Sequence, residues 1–351
     1  MAKMSTAEEL HMNAVVVDAH NDLLLSIMAD GVGSRGTFKH RWLGELRAGG
    51  VDVQVCPVYC DPQIPEAHLR ETLRMIAALK HEASANSDDL ALCRSGGEID
   101  SAVADGKIAL VLALEGTQAL GPDESLIETF YELGVRMISF THMGRTLLAD
   151  GSGEDGAGSR LTHGAVAAVA EMERLGILLD VSHLNAAGVE HALEIATRPI
   201  VASHSAARAV RDHHRNLTDE QLRGIARNGG VVGVNLLAAF ISDRDATIER
   251  VVDHYEHIAE VAGIEHVGIG PDFVTDVFAD LYPADVDLTR EGLDPKARVP
   301  HLYASRHLPN LTSALLERGF GEHDVRLILG ENFLRLFRQV LGMPASQSRT
   351  P

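Results

Sequence analysis

Short apolar runs recur along the chain, separated by segments with helical spacing of their apolar positions. Eight of them are rich in Val and Ile: AVVVDAH (14–20), VDVQVCPVY (51–59), IALVLALEG (108–116), VRMISFTH (135–142), ILLDVSH (177–183), PIVASHS (199–205), VVGVNL (231–236) and HVGIGPDF (266–273). Their apolarity is continuous rather than alternating, which predicts strands covered on both faces, as in a parallel sheet flanked by helices. The connecting segments include PEAHLRETLRMIAALKHEA (65–83), THGAVAAVAEMERLG (162–176) and LTDEQLRGIARNGG (217–230). In the last of these Thr218 and Gln221 have the spacing of a capping box, and Gly229 that of a helix C-cap. Strand and helix alternating in this way predict an α/β chain folded as a (β/α)8 TIM barrel, with an open doubly wound sheet as the competitor.

After the eighth run a loop-rich insertion (274–306) leads into LPNLTSALLERGF and HDVRLILGENFLRLFRQVL, which predict additional C-terminal helices. Residues 344–351 read as a disordered polar tail. Neither an internal repeat nor a linker interrupts the chain, so a single barrel domain is expected over 1–351, with a core of about 12–343.

Composition narrows the partners. With 45% apolar and 23% charged residues the chain is an ordinary globular one, and its formal net charge of −19 would repel a phosphate backbone. Nucleic acid is therefore not expected. The start lacks a basic segment followed by an apolar stretch, and no window approaches the roughly 18 apolar residues of a membrane span, so a cytoplasmic protein without membrane contact is expected. Cys56, Cys60 and Cys93 show no CxxC spacing and read as reduced, packed thiols rather than zinc ligands.

The polar residues that end these strands carry the chemistry. A barrel gathers the carboxyl ends of its strands around one mouth, and here those ends bear His20 and Asp22, Glu115, His142, His183, His204 and Asp272. Each alone could be a solvated or hydrogen-bonded side chain. Together, carboxylates that would repel one another share a rim with imidazoles, and a divalent cation resolves that conflict. Imidazole with carboxylate and no thiolate suits zinc, and also manganese, cobalt or iron. Five ligands, His20, Asp22, Glu115, His183 and His204, exceed the needs of one ion and fit a pair bridged by a carboxylate, which can hold a hydroxide and polarise an amide carbonyl. Asp18 precedes the HxD pair on the same side of the strand and is expected to support it from behind.

These residues resemble the renal, or membrane, dipeptidases, a family of amidohydrolase-like metal barrels. The matching pieces are DAHNDL (18–23), LALEG (112–116), SFTHMGRTLLADG (139–151), LDVSH (179–183), ASHSAARAVRDHHRNLTDEQL (202–222), GIGPDF (268–273) and LGENFLRLF (329–337), in family order over most of the chain. The resemblance implies a dipeptidase with two Zn2+ per chain, one held by His20 and Asp22, the other by His183 and His204, with Glu115 between them. It implies that His142 meets the substrate carbonyl and its oxyanion, that Arg215 pairs with the dipeptide's carboxylate, and that Asp272 exchanges protons with the attacking water and the leaving amine. The substrates would be L-Xaa-L-Xaa or L-Xaa-D-Xaa dipeptides, with β-lactam opening as a further implication and a homodimer left open. Met143 stands where the family has Asn, and Phe-Val-Thr-Asp (273–276) where it has Phe-Asp-Gly, which bears on substrate preference. No apolar tail follows Leu341, so the kidney enzyme's anchor is not expected.

Two other functions fit the same barrel. A cyclic amidase or deaminase would use a carboxylated lysine at the end of the 135–142 run, yet Lys3, Lys39, Lys80, Lys107 and Lys296 all lie elsewhere. A non-catalytic relative would be expected to have lost some of the ligand positions, and all are present. His213 and His214 read as loop residues, and Asp150 as the opening of a flexible, glycine-rich rim loop.

Overall fold

The computed structural model describes residues 6–29, 37–60, 67–121, 123–275, 277 and 297–343. The tail expected over 344–351, Asp276, and residues 278–296 of the insertion lie outside this set, as do Lys3, Lys296 and the first two residues of the 65–83 segment.

Among the described residues all strands pair in parallel. They are β1 (Val16–Asp18), β2 (Val51–Tyr59), β3 (Leu90–Cys93), β4 (Ile108–Glu115), β5 (Val135–Ser139), β6 (Leu178–Asp180), β7 (Val201–Ser205), β8 (Val231–Val234) and β9 (Val267–Ile269). Eight of them run β1-β2-β4-β5-β6-β7-β8-β9, and the Ala19 amide donating to the Ile269 carbonyl at 3.1 Å brings the first back to the last, the arrangement of a (β/α)8 barrel. The eight expected runs each hold one of these strands. β3 is an addition: Leu90 to Cys93 pair with the first half of β4, opposite Ile108 to Val111, and β5 takes over the same edge from Leu112 onward.

Side-chain alternation divides the strands into two apolar sets. On β4, Ile108, Leu110, Leu112 and Leu114 pack outward against the helices, while Ala109, Val111 and Ala113 pack inward. The inward set continues with Val17, Val53, Val55, Met137, Leu178, Val201 and Val231, all but fully buried, and forms the floor of the barrel. On four adjacent strands, β4 to β7, the next inward position is different: Glu115 after Ala113, Ser139 after Met137, Asp180 after Leu178, Ser203 after Val201. On this side of the barrel the interior thus changes from apolar to polar within one row.

The helices follow their sequence signals. Asp219–Asn228 begins with the expected capping box, Gln221 N–H to Thr218 Oγ1 at 3.3 Å and Thr218 N–H to Gln221 Oε1 at 3.0 Å, and ends at left-handed Gly229. His163–Leu175 is capped by Thr162 and Gly176. The C-terminal helices include Leu308–Arg318, Glu322–Arg326 and Asn332–Val340. The last of them seals the floor, where Phe333 and Phe337 join the inward valines. Phe333 fits because β9 offers Gly268 beneath it: a Cβ there would lie 2.4 Å from the ring. No helix among the described residues is long and apolar enough to cross a membrane.

Candidate metal centre

β1 and β6 end in the same local device. Asp18 Oδ1 accepts the backbone N–H of His20 at 3.0 Å, and Asp180 Oδ1 accepts that of Ser182 at 2.9 Å. Each carboxylate thereby fixes the turn in which the chain leaves its strand. Asp18 supports His20 through its backbone rather than its ring, and burial pushes the Asp18 carboxyl up to about 7, against hydrogen bonds from Gln54, His20 and Asn21. His183 and Asp272 leave their strands with φ of 69° and 56°, the left-handed region that non-glycine residues avoid. Such backbone persists where its surroundings over-determine it: Ser152 N–H donates to the His183 carbonyl at 2.6 Å, and Asp272 N–H to the His20 carbonyl at 3.0 Å.

The loop that carries Ser152 is tied down, in contrast to the flexible rim expected from its glycines. Asp150 is buried and paired with Arg145 at 2.5 and 2.9 Å, and its carbonyl accepts from Asn185 N–H. Gly151 packs so closely that a Cβ would lie 2.2 Å from the His142 carbonyl.

All eight residues singled out by the sequence meet at this mouth. Potential ligand atoms of His20, Glu115 and His204 lie within 4.8 Å of one another, as do those of Glu115, His142 and His183, and those of His20, Asp22 and Asp272. Glu115 Oε1 is the hub: the Nε2 atoms of His183, His20 and His204 stand 3.1, 3.5 and 3.5 Å from it. The His183 and His204 Nε2 atoms are 2.8 Å apart. The rings of His20 and His204 stack at 3.7 Å, and His142 lies between His183 and Tyr59 at 4.3 and 4.6 Å. Arg215 is buried, donates from Nη2 to the His204 carbonyl at 3.0 Å, and has a buried Nε without a partner.

The electrostatics call for a cation. Burial, with Glu115 and Asp272 adding to it, drives the Asp22 carboxyl well above its ordinary value. Burial opposes ionisation of Glu115, but His20 and His183 overcome it and hold Glu115 well below the usual range. Burial would lower His20 too, yet Glu115 foremost raises it to about 10, so a proton on His20 supplies the missing positive charge. Burial drives His183 and His204 well below 6.5, leaving their rings neutral. His20 Nε2 and Asp22 Oδ1 are buried without hydrogen-bond partners. Two neutral imidazoles, an ionised Glu115, an Asp22 that burial and like charges hold back from ionising, and orphaned ligand atoms around one point fit a metal ion, and the three overlapping groups leave room in the donor set for two. The cysteines take no part: among the described residues none joins a potential metal group, and burial raises the thiols of Cys56, Cys60 and Cys93.

Three neighbours escaped the sequence reading. Asn235 Nδ2 donates to Asp272 Oδ2 at 2.9 Å. Ser203 Oγ lies 2.5 Å from Asp180 Oδ2 and 2.7 Å from His204 Nδ1. A carboxylate inside an otherwise apolar run was the available signal for Asp180, whereas Ser203 and Asn235 carry none that distinguishes them from packed polar residues. His213 and His214 sit in the loop as expected, half-buried and stacked at 4.4 Å, with His213 Nδ1 accepting from Arg215 N–H.

The family described as membrane dipeptidase (Peptidase family M19) matches residues 4–284. Dipeptidase verJ of Clonostachys rogersoniana is 30% identical over 358 residues, covering 96% of this chain and 87% of that protein. Among solved structures, dipeptidase AC, a metallopeptidase of family M19, is similar at a TM-score of 0.82 and 28% identity over 94% of this chain and 99% of its own. A metallopeptidase from Rhodobacter sphaeroides, bound to a phosphinate mimic of the dipeptide L-Ala-D-Ala, is similar at a TM-score of 0.81 and 26% identity over 93% and 100%.

Proposed function

The chain belongs to the membrane dipeptidase family, Peptidase family M19, and from that premise we propose that it is a metal-dependent dipeptidase that hydrolyses the amide bond of L-Xaa-L-Xaa and L-Xaa-D-Xaa dipeptides at a two-zinc centre. The observation that carries this reading is the overlap of the ligand groups at Glu115 and His20. His20 and Asp22 are assigned to one zinc ion, His183 and His204 to the other, and Glu115 to both. When bound, such ions polarise a carbonyl and acidify water enough to make it a nucleophile near neutral pH.

The chain's own residues do the rest. Arg215 binds the free carboxylate of the dipeptide: its guanidinium is buried beside the mouth with Nε unpartnered, and burial lowers its pKa only to about 10, so it stays charged. A fixed fork of N–H donors suits a planar carboxylate better than an ammonium does. Burial keeps His142 below its ordinary value, so a neutral ring faces the carbonyl and can donate to the oxygen as charge develops there. Asp272 has one oxygen held by Asn235 and the other available to take the water's proton and return it to the leaving amine. Acceptance of a D-residue at the second position is supported by the L-Ala-D-Ala mimic held by the Rhodobacter relative.

Zinc-loaded protein assayed against a library of dipeptides, their C-terminal amides and longer peptides tests this reading. Dipeptides should turn over while amides and longer peptides do not, with two zinc ions per chain by atomic emission. Full zinc occupancy without turnover of any dipeptide would overturn it.

A further inference from the structure

Beneath the ligand cluster, the inward row of polar residues forms a continuous path from one buried carboxylate to one imidazole. Asp180 Oδ1 accepts two backbone N–H groups, from Ser182 at 2.9 Å and from Ser203 at 3.0 Å. Its other oxygen is 2.5 Å from Ser203 Oγ, which also meets His204 Nδ1 at 2.7 Å and, at the longer distance of 3.5 Å, Ser182 Oγ. All three side chains are at most 3% exposed, so no water competes for these atoms from bulk solvent. The path is held by backbone packing as well as by hydrogen bonds. Gly233 and Gly270 have no side chains where the Ser203 carbonyl passes, and a Cβ on either would lie 2.1 or 1.7 Å from that oxygen. A register shift between Ala202 and Ser205 interrupts strand alternation here, so that Ser203 and its neighbour His204 both reach interior partners.

A hydroxyl has one proton, and that fixes the logic. Burial raises the Asp180 carboxyl, but two backbone N–H groups and a hydroxyl converge on its oxygens and favour the ionised form; an ionised carboxylate can only accept, so Ser203 spends its proton on Asp180 and offers a lone pair to His204. His204 then carries its own proton on Nδ1, which leaves Nε2 bare toward Glu115 and His183. With the opposite polarity, Asp180 would hold a proton, Ser203 would donate to Nδ1, and Nε2 would carry the hydrogen and be useless as a ligand. Neither His20 nor His183 has such an arrangement, for the Nδ1 atoms of both are buried without a partner.

We propose that Asp180 and Ser203 are positioning residues that set the tautomer of His204, holding its proton on Nδ1 so that Nε2 is presented unprotonated to a metal ion. The proposal rests on the two-metal reading above, and its test separates the two. In metal-free protein labelled with 15N at histidine, long-range 1H–15N spectra of His204 should report the proton on Nδ1. Zinc affinity is then measured by chelator competition on the full chain. The wild type should bind two equivalents, which is the requirement of the metal reading alone. Ser203→Ala should weaken one equivalent by about 10–100-fold, Ser203→Thr, which keeps the hydroxyl, should restore it, and Asp180→Asn, whose amide can donate to Ser203, should move the His204 proton to Nε2. Thermal unfolding of each metal-free variant identifies any that fail to fold, and Ser203→Thr keeps the test decisive if Ser203→Ala is one of them. A wild-type His204 protonated on Nε2, or a folded Ser203→Ala protein with two equivalents of unchanged affinity, would overturn the proposal while leaving the metal centre intact.

Discussion

The floor and the mouth of this barrel are built from the same strands, one inward row apart. At the floor, Val17, Val55, Val111 and Val201 meet Phe333 and Phe337 with no polar atom to satisfy, so any apolar set of the right volume and shape would serve. At the mouth, the next positions bring Glu115, Asp180 and Ser203 to a point where each atom has a required partner, and several atoms still lack one. The two regions therefore differ in what a substitution costs. Floor residues hold the fold and are indifferent to chemistry, whereas mouth residues carry an electrostatic debt in the folded state that binding a cation would relieve.

The largest effect should come from breaking the mouth at its hub. Glu115→Ala is expected to reduce kcat/KM by about 10^4-fold, near 5.5 kcal/mol, and to lower the bound zinc, while the metal-free protein unfolds no earlier than the wild type. Steady-state rates, emission analysis and calorimetry read the three quantities. The reciprocal break, Phe333→Ala, should cost about 3–5 kcal/mol of stability, with kcat/KM per folded molecule unchanged in a denaturant-titrated sample. Should Phe333→Ala also change the kinetics, floor and mouth are coupled and the division drawn here fails. Arg215→Lys is smaller and sharper: KM for dipeptides should rise about 10–100-fold, with kcat little altered, because a point charge replaces a fork.

The smallest effect lies beneath the floor. His11 bridges Thr312 at 2.7 Å and the Gly49 carbonyl at 2.9 Å, and burial lowers its pKa. Above about pH 6.5 the ring is neutral in both folded and unfolded chains and its titration costs nothing. As the pH falls below that value the unfolded chain takes up a proton first, so stability declines until the lowered native pKa is reached. His11→Gln should flatten that part of the stability curve by about 1 kcal/mol or less, measured by urea unfolding between pH 7 and 5. An unchanged slope would remove His11 from the account.

Much of this architecture was legible because covered strands read as apolar runs and catalytic barrels place their chemistry at strand ends. Glu115 shows how far that reaches: period-two alternation on IALVLALE puts it inward, above Ala109, Val111 and Ala113. What was hidden had physical reasons. Leu90–Cys93 is only four residues long, and it pairs with half of an edge that β5 completes, so nothing local separates it from a loop. Ser203 and Asn235 act through the direction of one hydrogen bond each, which composition does not encode. The rim loop misled because its glycines signal close approach, Gly151 against the His142 carbonyl, rather than freedom.

The seal at the floor also dictates an order of events. Gly330 lies so near the start of the chain that a Cβ on it would be 2.3 Å from the Val15 carbonyl, and His11 reaches across 301 residues to Thr312. During synthesis at about 5–20 residues per second, β1 must wait tens of seconds for β9 and the closing helix to emerge. For that interval the growing sheet has an open edge and an unfilled interior, the state from which chains aggregate. The site that His20 and Asp22 share with Asp272 cannot assemble earlier either. Any metal held there must therefore load after β9 has emerged, and the yield of folded protein should respond to chaperone supply.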